Sequence, residues 1–210
     1  MKPKVKQKKT VTESMLLSKR QNVGETEPPL ERLIAELGSR DDIVRVGARR
    51  SLVAKGKTAL PLLINALKDA DDTIRWEAAK TLSEIEDPEA APALVKALED
   101  EIFEVRWVSA EGLTRLNIRG LKPLLHALTE HGDSLLLREG AHHVFHNLTK
   151  GALKKCLTPV LAALEAIEDE GGVPWESSHP KRLEVPWAAL QALEMLEKEK
   201  KLSDVCWTVF

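Results

Sequence analysis

The 210-residue chain contains no uncharged apolar run of about 18 residues, so the sequence predicts no membrane-spanning helix. Its basic start, MKPKVKQKKT, has no apolar stretch behind it and does not read as a secretory signal. Only two cysteines are present, Cys156 and Cys206, and they form no CxxC pair. Two thiols make a poor disulfide framework, and the spacing is wrong for a thiolate metal site. Reduced thiols in a cytoplasmic protein are expected. A Gly-rich phosphate loop and a GxSxG elbow are also missing, which removes two common routes to catalysis.

The net charge is only −2, but it is unevenly placed. Residues 1–20 carry Lys2, Lys4, Lys6, Lys8, Lys9, Lys19 and Arg20 against Glu13, a charge of +6, which leaves −8 for residues 21–210. The arm, residues 1–27, is rich in Lys, Thr, Ser and Gln and has no helical apolar stripe until about Met15. Its composition predicts disorder. Such an arm serves as a solubilising tail, or touches nucleic acid or an acidic partner. The acidic body suits phosphate backbones poorly, because that affinity rests on Lys and Arg.

What the chain does have is an internal repeat. LGSRDDIVRVGARRSLVAKG from Leu37, LKDADDTIRWEAAKTLSEIE from Leu67 and LEDEIFEVRWVSAEGLTRLN from Leu98 align at spacings of 30 and 31 residues. Each leading Leu is followed eight positions on by Arg45, Arg75 or Arg106, and seven later by Leu52, Leu82 or Leu113. A fourth copy from Leu128 has two extra residues and brings Arg138 and Phe145. The lead-in segments ALPLLINAL, AAPALVKAL, GLKPLLHAL and CLTPVLAAL also match. Their prolines fit a helix's first turn, where no N–H is needed. A fifth copy, without the Arg, aligns Val185, Ala189, Leu193 and Leu196 with the apolar positions, and Pro186 takes the place of the Arg.

Each unit therefore reads as an outer helix of about ten residues, a turn and an inner helix of about fifteen. Relative to the Arg, apolar residues recur at −1, +3, +7 and +10, a stripe of roughly 3.6-residue period. Residues 169–185 form an inserted loop before the fifth inner helix, and 201–210 read as a tail that caps the last repeat.

The segment DDTIRWEAAKTLSEIEDPEAAPALVKALED (71–100) and its neighbours resemble the HEAT repeat family, in particular the short phycobilisome-lyase HEAT-like repeats of bacteria and archaea. The Asp six residues before the Arg, as in Asp69/Arg75 and Asp100/Arg106, matches that family's Asp–Arg ladder between successive turns. The resemblance covers about residues 28–200. It implies an all-α fold, a right-handed α-solenoid of about five helix pairs. It also implies that the second helices line the concave side.

At about 100° per residue, positions +1, +5 and +8 fall opposite the core stripe. Along the array, +1 holds Val46, Trp76, Trp107, Glu139 and Trp187. Position +5 holds Arg50, Lys80, Glu111, His143 and Gln191, and +8 holds Val53, Ser83, Thr114, His146 and Glu194. Three of five tryptophans thus occupy one equivalent position, on the side where stability alone favours polar residues. Trp is enriched at binding hot spots; the competing reading is that each packs sideways on its neighbour. Glu139, His143 and His146 share the face at i, i+4 and i+7 and are candidate metal ligands. Histidines in a groove serve more often as hydrogen-bonding contacts. His142 falls on the flank that meets an adjacent repeat.

The function expected is a non-catalytic scaffold, without cofactor, that grips a protein or peptide in the concave groove. The groove residues are Trp76, Trp107, Trp187, Arg50, Lys80, Glu111, Glu139, His143, His146 and Gln191. The alternatives are binding of a metal or a tetrapyrrole, as in bilin-lyase relatives, and DNA binding, as in HEAT-like alkylpurine glycosylases. The resemblance to HEAT-like deoxyhypusine hydroxylase would bring iron on repeated His–Glu pairs, but no His-Glu dipeptide occurs here. Aromatic groove residues suit base stacking; the acidic body and a +5 row with only Arg50 and Lys80 as cations speak against nucleic acid.

Overall fold

The computed structural model describes residues 28–149, 153–168 and 184–206. Every regular element among them is helical. The helices are α1 (Leu30–Glu36), α2 (Asp42–Lys55), α3 (Leu60–Ala66), α4 (Asp72–Ile85) and α5 (Ala91–Ala97), followed by α6 (Phe103–Leu116), α7 (Ile118–His131), α8 (Leu135–Leu148), α9 (Lys154–Glu168) and α10 (Glu184–Cys206). They form five consecutive pairs, an α-solenoid. Single 3-10 turns, Gly56–Ala59 and Pro88–Ala90, lead into α3 and α5.

Three of the second helices, α2, α4 and α8, start where the sequence supplies a cap. Asp41 accepts the Ile43 N–H and Asp71 the Thr73 N–H, each at 2.8 Å. Ser134 accepts the Leu137 N–H at 3.3 Å. Each side chain satisfies an N–H that the helix leaves unpaired. The first helices of the early pairs are short, and Pro61 and Pro92 sit in their first turns. In the later pairs the helix begins further upstream. Pro123 and Pro159 therefore lie inside α7 and α9 rather than near their starts.

Helices α2, α4, α6 and α8 pack side by side as one layer. Helices α1, α3, α5 and α7 form the other, each also packed on the second helix of its own pair. The apolar stripe fills the space between the layers. Leu52, Leu82, Leu113 and Phe145 at +7 are buried, as are the small +3 residues Ala48, Ala78, Ser109 and Ala141. A side chain no larger than Ala or Ser at +3 lets neighbouring helices approach closely. Gly112 serves the same end, since a Cβ there would lie 3.0 Å from Leu94 Cδ1 and 3.2 Å from Ser83 Cβ.

The repeated Arg performs one task four times. Its Nη1 donates to the backbone carbonyl six residues earlier: Ser39 for Arg45 at 2.7 Å, Asp69 for Arg75 at 2.9 Å, Asp100 for Arg106 at 2.8 Å, and Gly132 for Arg138 at 3.3 Å. The Arg thus ties the turn between paired helices to the helix that follows. The fourth copy keeps this register despite its insertion. Arg75 reaches further, to the Asp100 carboxylate of the next repeat, with Nε 2.8 Å from Oδ2 and Nη2 3.2 Å from Oδ1. That hydrogen bond raises the pKa of Arg75 above its ordinary value. Where Asp69 and Arg75 pair, the Asp contributes its backbone carbonyl to its own Arg; the carboxylate link is the one between repeats, Arg75 to Asp100. A second tie lies nearby: buried Glu77 on α4 is paired with Arg49 and stands 3.5 Å from Arg45, both on α2.

The last pair breaks the layering. Helix α9 packs on α8, while α10 packs on α7 and α9. His142 Nε2 lies 3.7 Å from Glu165 Oε1, joining α8 to α9, and Lys122 Nζ lies 3.8 Å from Glu197 Oε1, joining α7 to α10. The close approach of α10 to the end of α7 needs a glycine: a Cβ on Gly132 would lie 2.8 Å from Pro186 Cγ. So the fifth pair is turned over. Its first helix continues the second-helix layer, and its second helix continues the first. The expected loop, 169–185, lies outside the described residues except for Glu184 and Val185, which open α10. Helix α10 continues through Cys206, past residue 201 where the tail is expected to start.

Candidate binding groove

Between α4 and α6, on the side away from the interlayer core, lies a groove of about 650 Å³. Trp76, Lys80, Ser83 and Glu84 line it from α4; Phe103, Glu104, Trp107, Val108, Glu111 and Arg115 line it from α6. Five of these are the +1, +5 and +8 residues of repeats two and three. The groove forms there because Ser83 and Gly112 bring the two helices close at one end of the shared wall. The large +1 indoles stand up on the same surface.

Trp76 is half-buried, and Lys80 Nζ sits 4.8 Å from its ring centroid. Trp107 is 46% exposed. Its ring stacks at a tilt on His143 of α8, with centroids 4.4 Å apart. His143 Nε2 lies 3.0 Å from Glu111 Oε1 and 3.3 Å from Asn147 Nδ2. Asn147 is itself held by a hydrogen bond to the His143 carbonyl, at 2.9 Å. The polar group of the fourth repeat thus buttresses the aromatic of the third. Trp107 packs sideways on a neighbour and still leaves nearly half its surface in water.

Phe103 is the groove aromatic that the repeat register did not mark. It is 59% exposed, and its centroid is 6.1 Å from that of Trp107. Arg106 covers it, with Cζ 5.6 Å from its centroid. The signal for it was local: Phe103 stands one helical turn before Trp107, so two aromatics share a face at i and i+4. Glu104 and Val108 line the groove from the flanking angles of the same turns.

The remaining expected residues fall elsewhere. Arg50 is exposed on α2, outside the groove lining. Glu139 and His146 are exposed on α8. Trp187 and Gln191 belong to α10, which packs on α7 and α9 in the first-helix layer. Trp187, 61% exposed, is therefore not beside Trp76 and Trp107, and the expectation that it extends the same groove is corrected by the turned-over last pair.

The set Glu139, His143 and His146 is not brought together either. His143 turns to Glu111, and the His146 ring lies nearest His142, 6.1 Å between centroids. Among the described residues no three His, Cys, Asp or Glu side chains converge to hold a metal ion. His179, in the 169–185 segment, lies outside the described residues. No helix among the described residues is long and apolar enough to cross a membrane.

Residues 30–114 match the family model for HEAT repeats. The matched stretch runs from α1 to near the end of α6 and includes both walls of the groove. The match likens this part of the chain to HEAT repeats. No curated protein matches the sequence. Among the solved structures similar to it are two engineered or designed proteins. One is an engineered protein from a structural genomics consortium, with 20% identity over 78% of this chain and 77% of that chain and a TM-score of 0.39. The other is a designed armadillo repeat protein in complex with the peptide (KR)4, with 19% identity over 78% of this chain and 81% of that chain and a TM-score of 0.40.

Proposed function

We propose that the chain is a non-catalytic binding scaffold whose groove over α4 and α6 grips a segment of another protein. The observation that carries this is Trp107. It is an indole stacked on His143, which Glu111 and Asn147 hold in place, yet it is 46% exposed in a groove of about 650 Å³. Large apolar side chains left in water but fixed in position are what a partner covers. Full burial of such a side chain contributes roughly 1.5–3 kcal/mol. Fixing the ring beforehand lowers the ordering cost of binding. Trp76 and Phe103 extend the apolar surface, while Lys80, Glu104, Glu111 and Arg115 offer polar partners along its edges.

The Arg at the −6 carbonyl and the repeat spacings of 30 and 31 residues support placing the chain with the short phycobilisome-lyase-type HEAT-like repeats. The use of only two cysteines in 210 residues supports a reducing, cytoplasmic setting.

The test is selection from a random peptide library on the immobilised full chain, with Trp76→Ala/Trp107→Ala as the parallel bait. Enrichment of a shared motif on the wild type alone is expected. Equal enrichment on both baits would sink the groove assignment.

A further inference from the structure

Along one stripe of α6, Glu104, Trp107 and Glu111 stand at i, i+3 and i+7, an indole with a carboxylate one turn to either side. All three line the groove. The other two aromatics of the groove already carry a cation from the chain itself: Lys80 over Trp76 at 4.8 Å and Arg106 over Phe103 at 5.6 Å. No such cation is placed over Trp107 among the described residues, and Glu104 makes no ion pair there. The groove surface is thus built to take cations, and the face of its central indole away from His143 stands open to one. An ammonium over an indole face is attracted by the ring quadrupole, and the two carboxylates add Coulomb attraction.

The chain contains a segment of matching chemistry. Residues 2–9 read Lys-Pro-Lys-Val-Lys-Gln-Lys-Lys, with Lys2, Lys4, Lys6 and Lys8 at every second position. In an extended segment alternate residues lie on one side, about 6.8 Å apart. That is close to the helical pitch of about 5.4 Å that separates Glu104, Trp107 and Glu111. The charges are complementary as well, +6 on residues 1–20 against −8 on the remainder. The segment reaches. The described structure begins at Pro28, nineteen residues along the chain from Lys9, and at about 3.3 Å per residue that stretch spans about 60 Å. Helix spacings of about 8–10 Å put the groove within about 30–40 Å of Pro28.

We propose that residues 2–9 dock in the groove of their own chain, with lysine ammonium groups over Trp107 and against Glu104 and Glu111. They would form a resident occupant that an outside ligand must displace. The inference rests on the reading of the groove as a binding site and adds its first ligand: a lysine-rich extended segment. A tethered segment acts at a local concentration of about millimolar, so an occupant of about 0.1 mM affinity would weaken an outside ligand about tenfold.

The test compares the full chain with Lys4→Glu/Lys6→Glu/Lys8→Glu in the full chain. The probe is a fluorescein-labelled peptide of residues 1–12, followed by anisotropy. The account expects the probe to bind the variant about tenfold more tightly than the wild type. Adding Trp107→Ala to the variant should abolish the gain. Equal affinity for both chains, or binding to neither, overturns the inference. A library-selected peptide, run alongside, separates the two levels. If it binds through Trp107 while the arm probe does not, the resident arm falls and the groove stands. If it ignores Trp107, both fall. Carbodiimide coupling of mixed isotope-labelled and unlabelled chains supplies a second readout. Cross-links from Lys4, Lys6 or Lys8 to Glu104 or Glu111 within one chain are expected. Cross-links only between chains, or spread evenly over the acidic body, contradict docking in the chain's own groove.

Discussion

Arg75 and Asp100, 25 residues apart in sequence, are bound by two hydrogen bonds across the boundary between the second and third repeats. Arg75 is only 6% exposed. Asp100 Oδ1 also accepts the Ile102 N–H at 2.9 Å, at the entry to α6. One carboxylate therefore serves both the link between repeats and the start of the helix that carries Trp107.

Asp100→Ala should then be among the costlier polar substitutions in the chain. It removes the buried acid of a buried guanidinium, which keeps only the exposed Glu101, 3.2 Å from Nη2, and about 3 kcal/mol is expected. Urea unfolding monitored by circular dichroism measures it. Asp100→Asn keeps an acceptor for Ile102 and should lose less. A loss under about 1 kcal/mol for Asp100→Ala would place the pair with ordinary surface bridges instead.

Two aromatic truncations should separate core from groove. Phe145 is fully buried at +7, so Phe145→Ala should cost about 3–5 kcal/mol. Trp107 is nearly half exposed, so Trp107→Ala should cost about 1 kcal/mol. Thermal and urea melts of the two variants side by side decide this. Comparable losses would mean that Trp107 is a packing residue and not an open contact.

Gly132 reports on the turned-over last pair. Its φ is −63°, which any residue adopts, so only space restricts it. A Cβ would meet the Leu128 carbonyl oxygen at 2.7 Å and Pro186 Cγ at 2.8 Å. Gly132→Ala should destabilise by about 1–3 kcal/mol. Faster hydrogen exchange should be concentrated in α10 and the end of α7. Lys122→Ala, which removes an exposed pair to the same helix, should cost less than about 1 kcal/mol. Unchanged exchange in α10 for Gly132→Ala would argue against its seat on α7.

Much of this was legible in the sequence. The recurrence of Leu, Arg and Leu gave the pairing of helices. The small residues at +3 gave the close packing, and the angle opposite the stripe gave the groove walls at Trp76, Lys80, Trp107 and Glu111. The layer of the last pair was not legible. An apolar stripe tells which side of a helix is buried, not which neighbour buries it. Val185, Ala189, Leu193 and Leu196 fit the stripe equally well against α7 as against α8. Trp187 therefore kept the right angle on the wrong layer. Phe103 was missed because it precedes the register and belongs to the groove only once α4 and α6 stand side by side. The metal candidates shared a face by angle, but His143 was drawn away by Glu111 on the neighbouring helix, which periodicity within one helix does not reveal.

The most direct test of the groove is calorimetric titration of a library-selected peptide into wild type, Trp107→Ala and Trp187→Ala. The account predicts that Trp107→Ala weakens binding by about tenfold or more, the mark of a hot-spot residue. Trp187→Ala, on the other layer, should leave the affinity unchanged. Loss of binding in Trp187→Ala with Trp107→Ala unaffected would contradict it.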